Sequence, residues 1–308
     1  MKNDTILVFG GSGLVGSAII RNLKSKGYKN IYSPRSSQVN LLSPSHVCSY
    51  ISEVDPQYVI MAAAKVGGIQ ANLNSPADFG YINGMMNLNV INCCHQNRIK
   101  KLLFLGSSCI YPRNCPQPMQ ESSLLQGSFE PSNEMYALAK VFGLKLCEAY
   151  NKQYGTNFIT AQPCNIYGEG DNFDPNNSHV VAGLINKFHK AKINNEPTLE
   201  MWGTGSARRE LLYVDDCAEA CVFLLENYND SHFINVGSGE DLTIKELVIM
   251  IKDVVGYNGE LTWNSNKPDG MPRKVLDVSR INNLGWKHTI SLRDGLIKTY
   301  DWYLKNRK

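Results

Sequence analysis

The sequence predicts an α/β fold with a doubly wound parallel sheet and a smaller C-terminal α/β lobe. Short apolar runs alternate with helical stretches over the first 165 residues, and a glycine-rich turn follows the first run. The strand candidates are continuously apolar, which is typical of parallel strands covered by helices on both faces. Right-handed crossovers then place a ligand beyond the carboxyl ends of the strands.

The elements follow one another in a regular order. Strands are predicted at 5–9, 31–33, 58–62, 101–106 and 157–162, and helices at 14–26, 45–54, 76–96 and 134–154. After about residue 165 a segment rich in Gly, Asn, Asp and Pro predicts a functional loop at 165–178. Further helices are predicted at 180–192, 214–226, 244–254 and 292–306. We therefore expect a first domain at 1–165, joined by later sheet elements around 207–236, and a second lobe at 166–308.

Composition excludes several classes of function. The 308 residues are 43% apolar and 19% charged, and the net charge is 31 − 28 = +3. This charge is too small to indicate a nucleic-acid or membrane surface. No apolar run reaches the ~18 residues of a membrane span, and the N-terminus lacks a signal-peptide pattern. The expectation is a cytoplasmic enzyme without a nucleic-acid or membrane partner.

The nine cysteines show neither a C-x-x-C pair nor the spacing of a zinc site. We expect no metal site, and we expect most of the cysteines to be small buried thiols in a reducing compartment. Cys217 and Cys221 share a helix face and are interpreted as core packing. Cys93 and Cys94 are interpreted as structural.

The glycine-rich turn predicts a dinucleotide site. Its residues satisfy G-x-G-x-x-G between a strand and a helix, the context that a Rossmann fold requires. Glycines there allow a tight turn and close approach of the backbone to a pyrophosphate, and the helix N-terminus faces that anion. The residues are Gly10, Gly11, Ser12, Gly13, Leu14, Val15 and Gly16.

The choice of dinucleotide depends on an acid that is missing. NAD-selective sites carry a carboxylate about 20 residues after the turn, bonded to the ribose 2′-hydroxyl. Residues 32–37 contain none, and the stretch from 5 to 52 has no acidic residue at all. Arg35 can pair with a 2′-phosphate, although a solvated surface arginine is the alternative. The sequence therefore predicts NADPH rather than NADH.

Tyr136 and Lys140 predict ketone–alcohol chemistry. They lie four apart on one helix face, where the ammonium would lower the pKa of the phenol. Ser107 ends the fourth strand and can hold a carbonyl oxygen. In this arrangement Tyr136 is the general acid, Lys140 also bonds the nicotinamide ribose, and Ser107 orients the substrate.

Cys109 and His179 are candidates for a second activity. A thiolate and an imidazole on opposite faces of a sugar could remove a proton beside a ketone and return it from the other side. A buried cysteine and a helix-end histidine are the alternatives. Lys187, Trp202 and Arg209 could bind a diphosphate and stack on a base, but their spacing alone barely distinguishes this from a core Trp and surface charges.

The chain resembles the extended short-chain dehydrogenase/reductase superfamily and, within it, the GDP-L-fucose synthase family. The resemblance covers nearly the whole chain. The segments that carry it are 62–68, 76–79, 102–112, 130–134, 171–173, 178–180, 202–205, 209–210 and 267–270.

This resemblance implies an enzyme that epimerises GDP-4-keto-6-deoxy-D-mannose at C3 and C5 and reduces C4 with NADPH. Cys109 would be the base and His179 the acid for epimerisation, and Tyr136, Lys140 and Ser107 would serve the reduction. The implied GDP-sugar contacts are Lys187, Trp202, Arg209 and Asp269. A homodimer packed through helices around 85–97 and 136–153 is also implied. Besides the turn, the implied cofactor contacts are Arg35, Asn40, Leu41, Leu105, Gly106, Ser107, Ser108, Lys140, Pro163, Cys164, Asn165, Ile166 and His179.

Three positions depart from the family pattern. Ser12 replaces an arginine found near the 2′-phosphate in some members, Cys164 replaces a Thr beside the nicotinamide, and Lys187 replaces an Arg. A GDP-6-deoxy-4-keto-heptose is therefore the alternative substrate, with or without epimerisation.

A 4,6-dehydratase would need an Asp-Glu pair where Ser108 and Cys109 stand. The missing acid disfavours a 4-epimerase with tightly bound NAD, and the retained Tyr/Lys pair disfavours a non-enzymatic NADP sensor.

Overall fold

The computed structural model describes residues 2–174, 178–267 and 269–307. Residues 175–177 of the predicted loop and residue 268 of the 267–270 motif lie outside the described residues. The strands are β1 Thr5–Phe9, β2 Asn30–Tyr32, β3 Tyr58–Met61, β4 Lys101–Leu105, β5 Phe158–Pro163, β6 Asn165–Tyr167, β7 Thr198–Trp202, β8 Arg208–Tyr213, β9 Ile234–Val236, β10 Asp241–Thr243, β11 Glu260–Asn264 and β12 Arg273–Lys274.

Helices alternate with strands from β1 to β5, as predicted, whereas in the rest of the chain a helix follows each pair of strands. They are α1 Leu14–Ser25, α2 Pro44–Val54, α3 Ile69–Asn74, α4 Pro76–Gln96, α5 Glu134–Tyr154, α6 Val180–Ile193, α7 Val214–Asn227, α8 Ile244–Val255, α9 Ser279–Asn283 and α10 Leu292–Asn306. Every predicted helix and strand agrees with its observed counterpart within one residue at each end. The short helices α3 and α9 were not predicted, because six and five residues are too few to show a helical period.

The main sheet has six parallel strands in the order β2-β1-β3-β4-β5-β9, which confirms the predicted doubly wound architecture. The chain runs outward from β1 to β2 and then returns to β3 on the other side of β1. Ligands of such sheets bind at this reversal, beyond the carboxyl ends of the strands. The topology therefore places the crevice above β1 and β3.

Both faces of this sheet are buried. In β1, Ile6 and Val8 belong to one apolar cluster, which includes residues of α1 and α7, whereas Leu7 and Phe9 belong to a second cluster with residues of α2 and α4. This explains why the strand sequences are continuously apolar. The helices packed on both faces of the sheet hold the strand ends in place, and the strand ends form the crevice.

The smaller lobe is built around β8. Strand β10 pairs with it antiparallel, and β6 and β12 pair with it parallel. A separate parallel pair joins β7 and β11. Helices α6, α8 and α10 pack together in this lobe.

The two lobes interlock through a loop of the first. The Met119 N–H donates to the Val275 carbonyl at 2.8 Å, and the Asp277 N–H donates to the Met119 carbonyl at 2.9 Å. Asn235 is fully buried, and its amide donates to the Met119 carbonyl at 3.0 Å and to the Asp277 carbonyl at 3.1 Å. The Tyr111 hydroxyl donates to the Asn235 Oδ1. The segment after β4 is thereby joined to the segment after β12.

One prediction about the cysteines is wrong in part. Cys48 of α2 and Cys93 of α4 form a disulfide, with their Cα atoms 5.0 Å apart, and are therefore not free thiols. This pair is not predictable from a local pattern, because the two residues are 45 positions apart. Five of the other seven cysteines are buried free thiols, among them Cys94, Cys217 and Cys221, as predicted.

Within the described residues, no helix combines the length and the apolar character needed to cross a bilayer.

Candidate active site

The glycine-rich turn joins β1 to α1 and lies against the loop after β3. Gly10 has φ +85°, and a Cβ there would lie 2.5 Å from the Ala63 backbone nitrogen. The Gly13 N–H donates to the Gly10 carbonyl at 3.0 Å and closes the turn. Leu14, Val15 and Gly16 form the first turn of α1, whose N–H groups have no helical partners and can bind an anion. This cradle fits the pyrophosphate of a dinucleotide.

The end of β2 lies beside this turn. A Cβ at Gly11 would come within 2.0 Å of the Ser33 hydroxyl, so the strand end and the turn are in close contact. Ser12 is exposed on the same turn, and Arg35 is exposed two residues beyond Ser33. No described carboxylate forms an ion pair with the Arg35 guanidinium, which can therefore bind a phosphate.

Asn40 and Leu41 continue this edge of the crevice. The Asn40 Oδ1 accepts the Leu42 N–H at 3.0 Å, and the Leu41 carbonyl accepts the amide of the buried Asn89 of α4 at 2.9 Å. These bonds fix the segment against α4.

The end of β4 forms the next wall of the crevice. Leu105 and Ser108 are buried, and a Cβ at Gly106 would lie 1.8 Å from the Gln162 Oε1. That oxygen accepts the Ser107 N–H at 2.8 Å. A residue with a side chain at 106 would displace Gln162 and with it the backbone of Ser107.

The Ser, Tyr and Lys side chains predicted to serve reduction meet at this wall. The Ser107 hydroxyl lies close enough to the phenol of Tyr136 to lower the pKa of that phenol. Lys140 is 3% exposed, and its Nζ donates to the Leu105 carbonyl at 2.8 Å and lies 5.8 Å from the centroid of the Tyr136 ring. Gly143 lets α5 lie close to β4, because a Cβ there would come within 2.5 Å of the Phe104 ring.

The predicted effect of Lys140 on Tyr136 is wrong. The pKa of Tyr136 is raised above its usual 10.0, first by burial and then by the nearby Cys109, and only the Ser107 hydrogen bond lowers it. Burial also lowers the pKa of Lys140 to about 8, and Lys140 is not among the groups that lower the pKa of Tyr136. Tyr136 therefore holds its proton at neutral pH, as a general acid must.

Cys109 faces the same crevice from the turn after β4. Its Sγ lies 3.3 Å from the Asn133 Nδ2 and 3.5 Å from the Lys274 Nζ. Both groups are donors, so a thiolate at Cys109 has two hydrogen bonds available to it. We did not predict Lys274, because it stands 165 residues away in a segment without a motif. Asn133 belongs to the segment 130–134, which contributes to the family resemblance, but the sequence does not predict a role for this residue.

His179 occupies the N-cap position of α6, without a capping hydrogen bond from its side chain. Desolvation of its ring lowers its pKa below 6.5, and the charge of Lys274 lowers it further. The imidazolium is therefore a stronger acid than that of a free histidine, although it is the minor form at pH 7. Lys274 is thus close to both residues predicted for epimerisation.

Residues 163–166 cross between the two sheets below this site. Pro163 ends β5, and Asn165 and Ile166 belong to β6. The Cys164 N–H donates to the Val236 carbonyl at 2.9 Å, and burial raises the pKa of its thiol well above 9.0. Cys164 is therefore an inert thiol that fills space where the family has Thr.

The predicted nucleotide-sugar residues lie on the second lobe. The Lys187 Nζ donates to the Glu200 carbonyl, and burial lowers the pKa of this lysine. Trp202 is 65% exposed, with the Lys267 Nζ 5.3 Å from its ring centroid. An exposed indole at the lobe surface is available to stack on a base or sugar.

Arg209 and Asp269 lie near one another beside Trp202. The Arg209 Nη1 donates to the Met271 carbonyl at 2.5 Å, and the charge of Asp269 acts on this guanidinium. Asp269 accepts the Thr204 N–H at 2.7 Å and the Thr204 hydroxyl at 2.8 Å, and these bonds lower its pKa. Asp269 therefore stays ionised and orders the loop after Trp202.

Comparison with known proteins agrees with this site. Residues 6–237 match the NAD dependent epimerase/dehydratase family. The chain is 51% identical to GDP-L-fucose synthase 1 of Arabidopsis thaliana, over 99% of this chain and 94% of that protein. It is 47% identical to GDP-L-fucose synthase of Escherichia coli strain K12, over 100% of this chain and 98% of that protein.

A solved structure is also similar. It is a GDP-mannoheptose C4 reductase from Campylobacter jejuni with NADP bound, 36% identical, covering 99% of each chain with a TM-score of 0.92. The resemblance noted in the sequence is therefore confirmed at the level of the family. The chain belongs to the NAD dependent epimerase/dehydratase family and groups within it with the GDP-L-fucose synthases.

Proposed function

We propose that this enzyme converts GDP-4-keto-6-deoxy-D-mannose to GDP-L-fucose, by epimerisation at C3 and C5 followed by reduction at C4. The single observation that carries the proposal is the meeting of Ser107, Tyr136 and Cys109 at one strand end, with Lys274 and His179 approaching from the second lobe. A reductase alone has no need of the thiol. The 47–51% identity to GDP-L-fucose synthases supports the same reading.

The C4 ketone makes both epimerisations possible because it acidifies the protons at C3 and C5. In the proposal, the Cys109 thiolate takes one of these protons and becomes a thiol, and the His179 imidazolium gives a proton to the opposite face. The Ser107 hydroxyl holds the C4 oxygen while negative charge develops on it. The same pair then serves the second carbon.

Reduction uses the groups around Tyr136. Bound NADPH supplies the hydride for C4. Tyr136 gives its phenolic proton to the C4 oxygen. Because the pKa of the phenol is raised, Tyr136 is protonated before this step. Lys140, next to the Leu105 carbonyl, holds the cofactor ribose in this proposal, and Lys187, Trp202, Arg209 and Asp269 bind the GDP part of the substrate.

The experiment that tests this function is NMR of the product formed from GDP-4-keto-6-deoxy-D-mannose and NADPH in D₂O. GDP-L-fucose with deuterium at C3 and C5 is the expected product. A reduced sugar without deuterium would contradict the epimerase assignment and leave a C4 reductase. No turnover on the hexose, but turnover on the corresponding 4-keto-heptose, would favour the substrate class of the Campylobacter jejuni relative.

Arg35 is proposed to bind the 2′-phosphate that distinguishes NADPH from NADH. Replacing Arg35 with Ala is expected to raise the KM for NADPH about 10-fold or more, because a charge-assisted contact with phosphate is lost, and to leave the KM for NADH nearly unchanged. Steady-state kinetics with both cofactors measures this. Lys29→Ala, an exposed cation in the same basic stretch, is the matched control. Equal effects on both cofactors would contradict the assignment.

A homodimer through α4 and α5 is part of the proposal. These helices pack against each other and expose large apolar side chains at i, i+3 and i+7 spacing. The exposed side chains are Tyr81 and Leu88 on α4 and Met135, Leu138 and Phe142 on α5. Such a stripe is typical of a face that a second copy covers.

The double variant Leu138→Glu/Phe142→Glu is expected to be monomeric, because two charges would be buried in the interface. Size-exclusion chromatography with light scattering measures the mass. Ile249→Glu, on a helix of the second lobe with similar exposure, is the control that should leave the dimer intact. A wild-type protein that is already monomeric would contradict the proposal. The cytoplasmic setting likewise stays a prediction.

A further inference from the structure

Lys274 approaches Cys109 from the opposite lobe, and neither the sequence pattern nor the reduction chemistry requires it there. Its Nζ lies 3.5 Å from the Cys109 Sγ, and the side chain is half-buried. The same cation acts on the ring of His179. The inference that follows rests on the proposed role of Cys109 as the base.

The backbone around Lys274 is held on both sides. Lys274 is the register partner of Arg209 in the β12–β8 pair. The Val275 N–H donates to the Gln117 Oε1 at 3.0 Å, and the Leu276 N–H donates to the Glu210 Oε2 at 2.8 Å. These contacts come from both lobes, so the backbone that carries Lys274 is held in place by the fold.

Glu210 anchors this segment from inside the lobe. It is 1% exposed, and its Oε1 accepts the Gly239 N–H at 2.7 Å while its Oε2 accepts the Leu276 N–H. Burial raises its pKa to about 7, and the nearby charge of Lys274 acts in the opposite direction. Its carboxylate is bonded to backbone donors, which leaves the Lys274 ammonium directed to the crevice.

Lys140 is the other cation near Cys109, but its closest contacts are with β4 and not with the sulfur. Its Nζ donates to the Leu105 carbonyl at 2.8 Å and lies over the Phe104 ring at 5.1 Å. Burial lowers its pKa to about 8. Of the cations in the described residues that act on Cys109, Lys274 is therefore the one in hydrogen-bond contact with the sulfur.

We propose that Lys274 is a positioning residue that holds Cys109 as a thiolate for both epimerisations. Each round transfers the C–H proton to the sulfur and a proton from the His179 imidazolium to the opposite face of the carbon. Before the second round, the Cys109 S–H must release its proton to water and the imidazole must regain one. An ammonium in contact with the sulfur favours the thiolate at each return.

The proposal predicts a shift in the reactivity of Cys109. In Lys274→Met, the midpoint of the pH dependence of Cys109 alkylation by iodoacetamide is expected to rise by about one pH unit or more, because an opposite charge within hydrogen-bond distance is lost. Mass spectrometry of the Cys109 peptide separates its alkylation from that of Cys115. Lys274→Arg keeps the charge and should keep most of the wild-type midpoint. Lys287→Met, at an exposed lysine of the same lobe, should not move it.

The pH profile has other groups to consider. Tyr136 and Lys140 of α5 lie within electrostatic reach of Cys109. The charge of Lys274 acts on His179, Glu210, Cys115 and Cys164. Repeating the alkylation profile in His179→Gln and Glu210→Gln measures how much these two residues contribute to the midpoint of Cys109 alkylation. If the midpoint moves in these variants but not in Lys274→Met, the proposal is overturned.

A second measurement separates this role from a general loss of structure. Deuterium exchange into C3 and C5 is expected to fall about 10-fold or more in Lys274→Met at pH 7 and to recover as the pH rises. Oxidation of GDP-L-fucose by NADP⁺, which needs no epimerisation, should stay within about threefold of wild type. Equal loss of both activities, with an unmoved alkylation midpoint, contradicts the proposal. If Cys109→Ser still exchanges deuterium, the assigned base is wrong, whereas the alkylation result still decides whether Lys274 sets the charge of Cys109.

Discussion

Tyr136→Phe is expected to lose about 10²–10⁴-fold in the rate of C4 reduction, because the reaction loses its general acid while the ring and its packing remain. The phenol lies beside the Ser107 hydroxyl, and burial raises the pKa of the phenol, so that it is protonated at neutral pH. Single-turnover oxidation of NADPH at 340 nm, with saturating GDP-4-keto-6-deoxy-D-mannose, measures the chemical step.

The control for this variant lies on the same helix. Tyr154→Phe removes a hydroxyl from an exposed tyrosine of α5 and should keep wild-type turnover. NADPH binding, followed by fluorescence titration, should be unchanged within about threefold in Tyr136→Phe, since the phenol is assigned to the substrate oxygen. Full activity of Tyr136→Phe would contradict the catalytic assignment and mean that another group donates the proton to the C4 oxygen.

Cys109→Ser is expected to abolish deuterium exchange at C3 and C5, because a hydroxyl is far less acidic than a thiol and cannot supply the base at neutral pH. NADPH binding should stay intact. Oxidation of GDP-L-fucose by NADP⁺ should also persist, since it uses Tyr136, Lys140 and Ser107. NMR of substrate incubated in D₂O without cofactor measures the exchange alone.

Cys115→Ser is the matched control for this prediction. Cys115 is half-buried and lies six residues along the same loop, but its thiol is not among the groups assigned to epimerisation. It should exchange deuterium at the wild-type rate. Exchange that continues in Cys109→Ser and stops in Cys115→Ser would move the base to the second cysteine.

The sequence predicts the framework of this protein well because its signals are local. The run at 5–9, the glycines after it and the helix from Leu14 each follow from neighbouring residues, and so does the placement of Tyr136 and Lys140 on one helix face. The doubly wound parallel architecture follows from the alternation of strands and helices together with right-handed crossovers. These features need no knowledge of what packs against them.

Prediction failed where the cause is burial or a distant partner. Spacing places Lys140 beside Tyr136 but does not reveal that its ammonium is bonded to the Leu105 carbonyl, nor that burial dominates the pKa of the phenol. Lys274 could not be connected to Cys109 across 165 residues. The Cys48–Cys93 disulfide depends in the same way on the packing of α2 against α4.

The pairing of Met119 with residues 275 and 277 has a consequence for how such enzymes can be recombined. Chimaeras that exchange the C-terminal lobe at residue 165 would separate Met119 and Tyr111 from the Val275 carbonyl and the buried amide of Asn235. The unit that must be inherited together is therefore discontinuous, and it includes the loop at 111–121 along with the second lobe. The part of this fold that can be exchanged as a unit is therefore defined by its hydrogen bonds and not by one crossover position in the sequence.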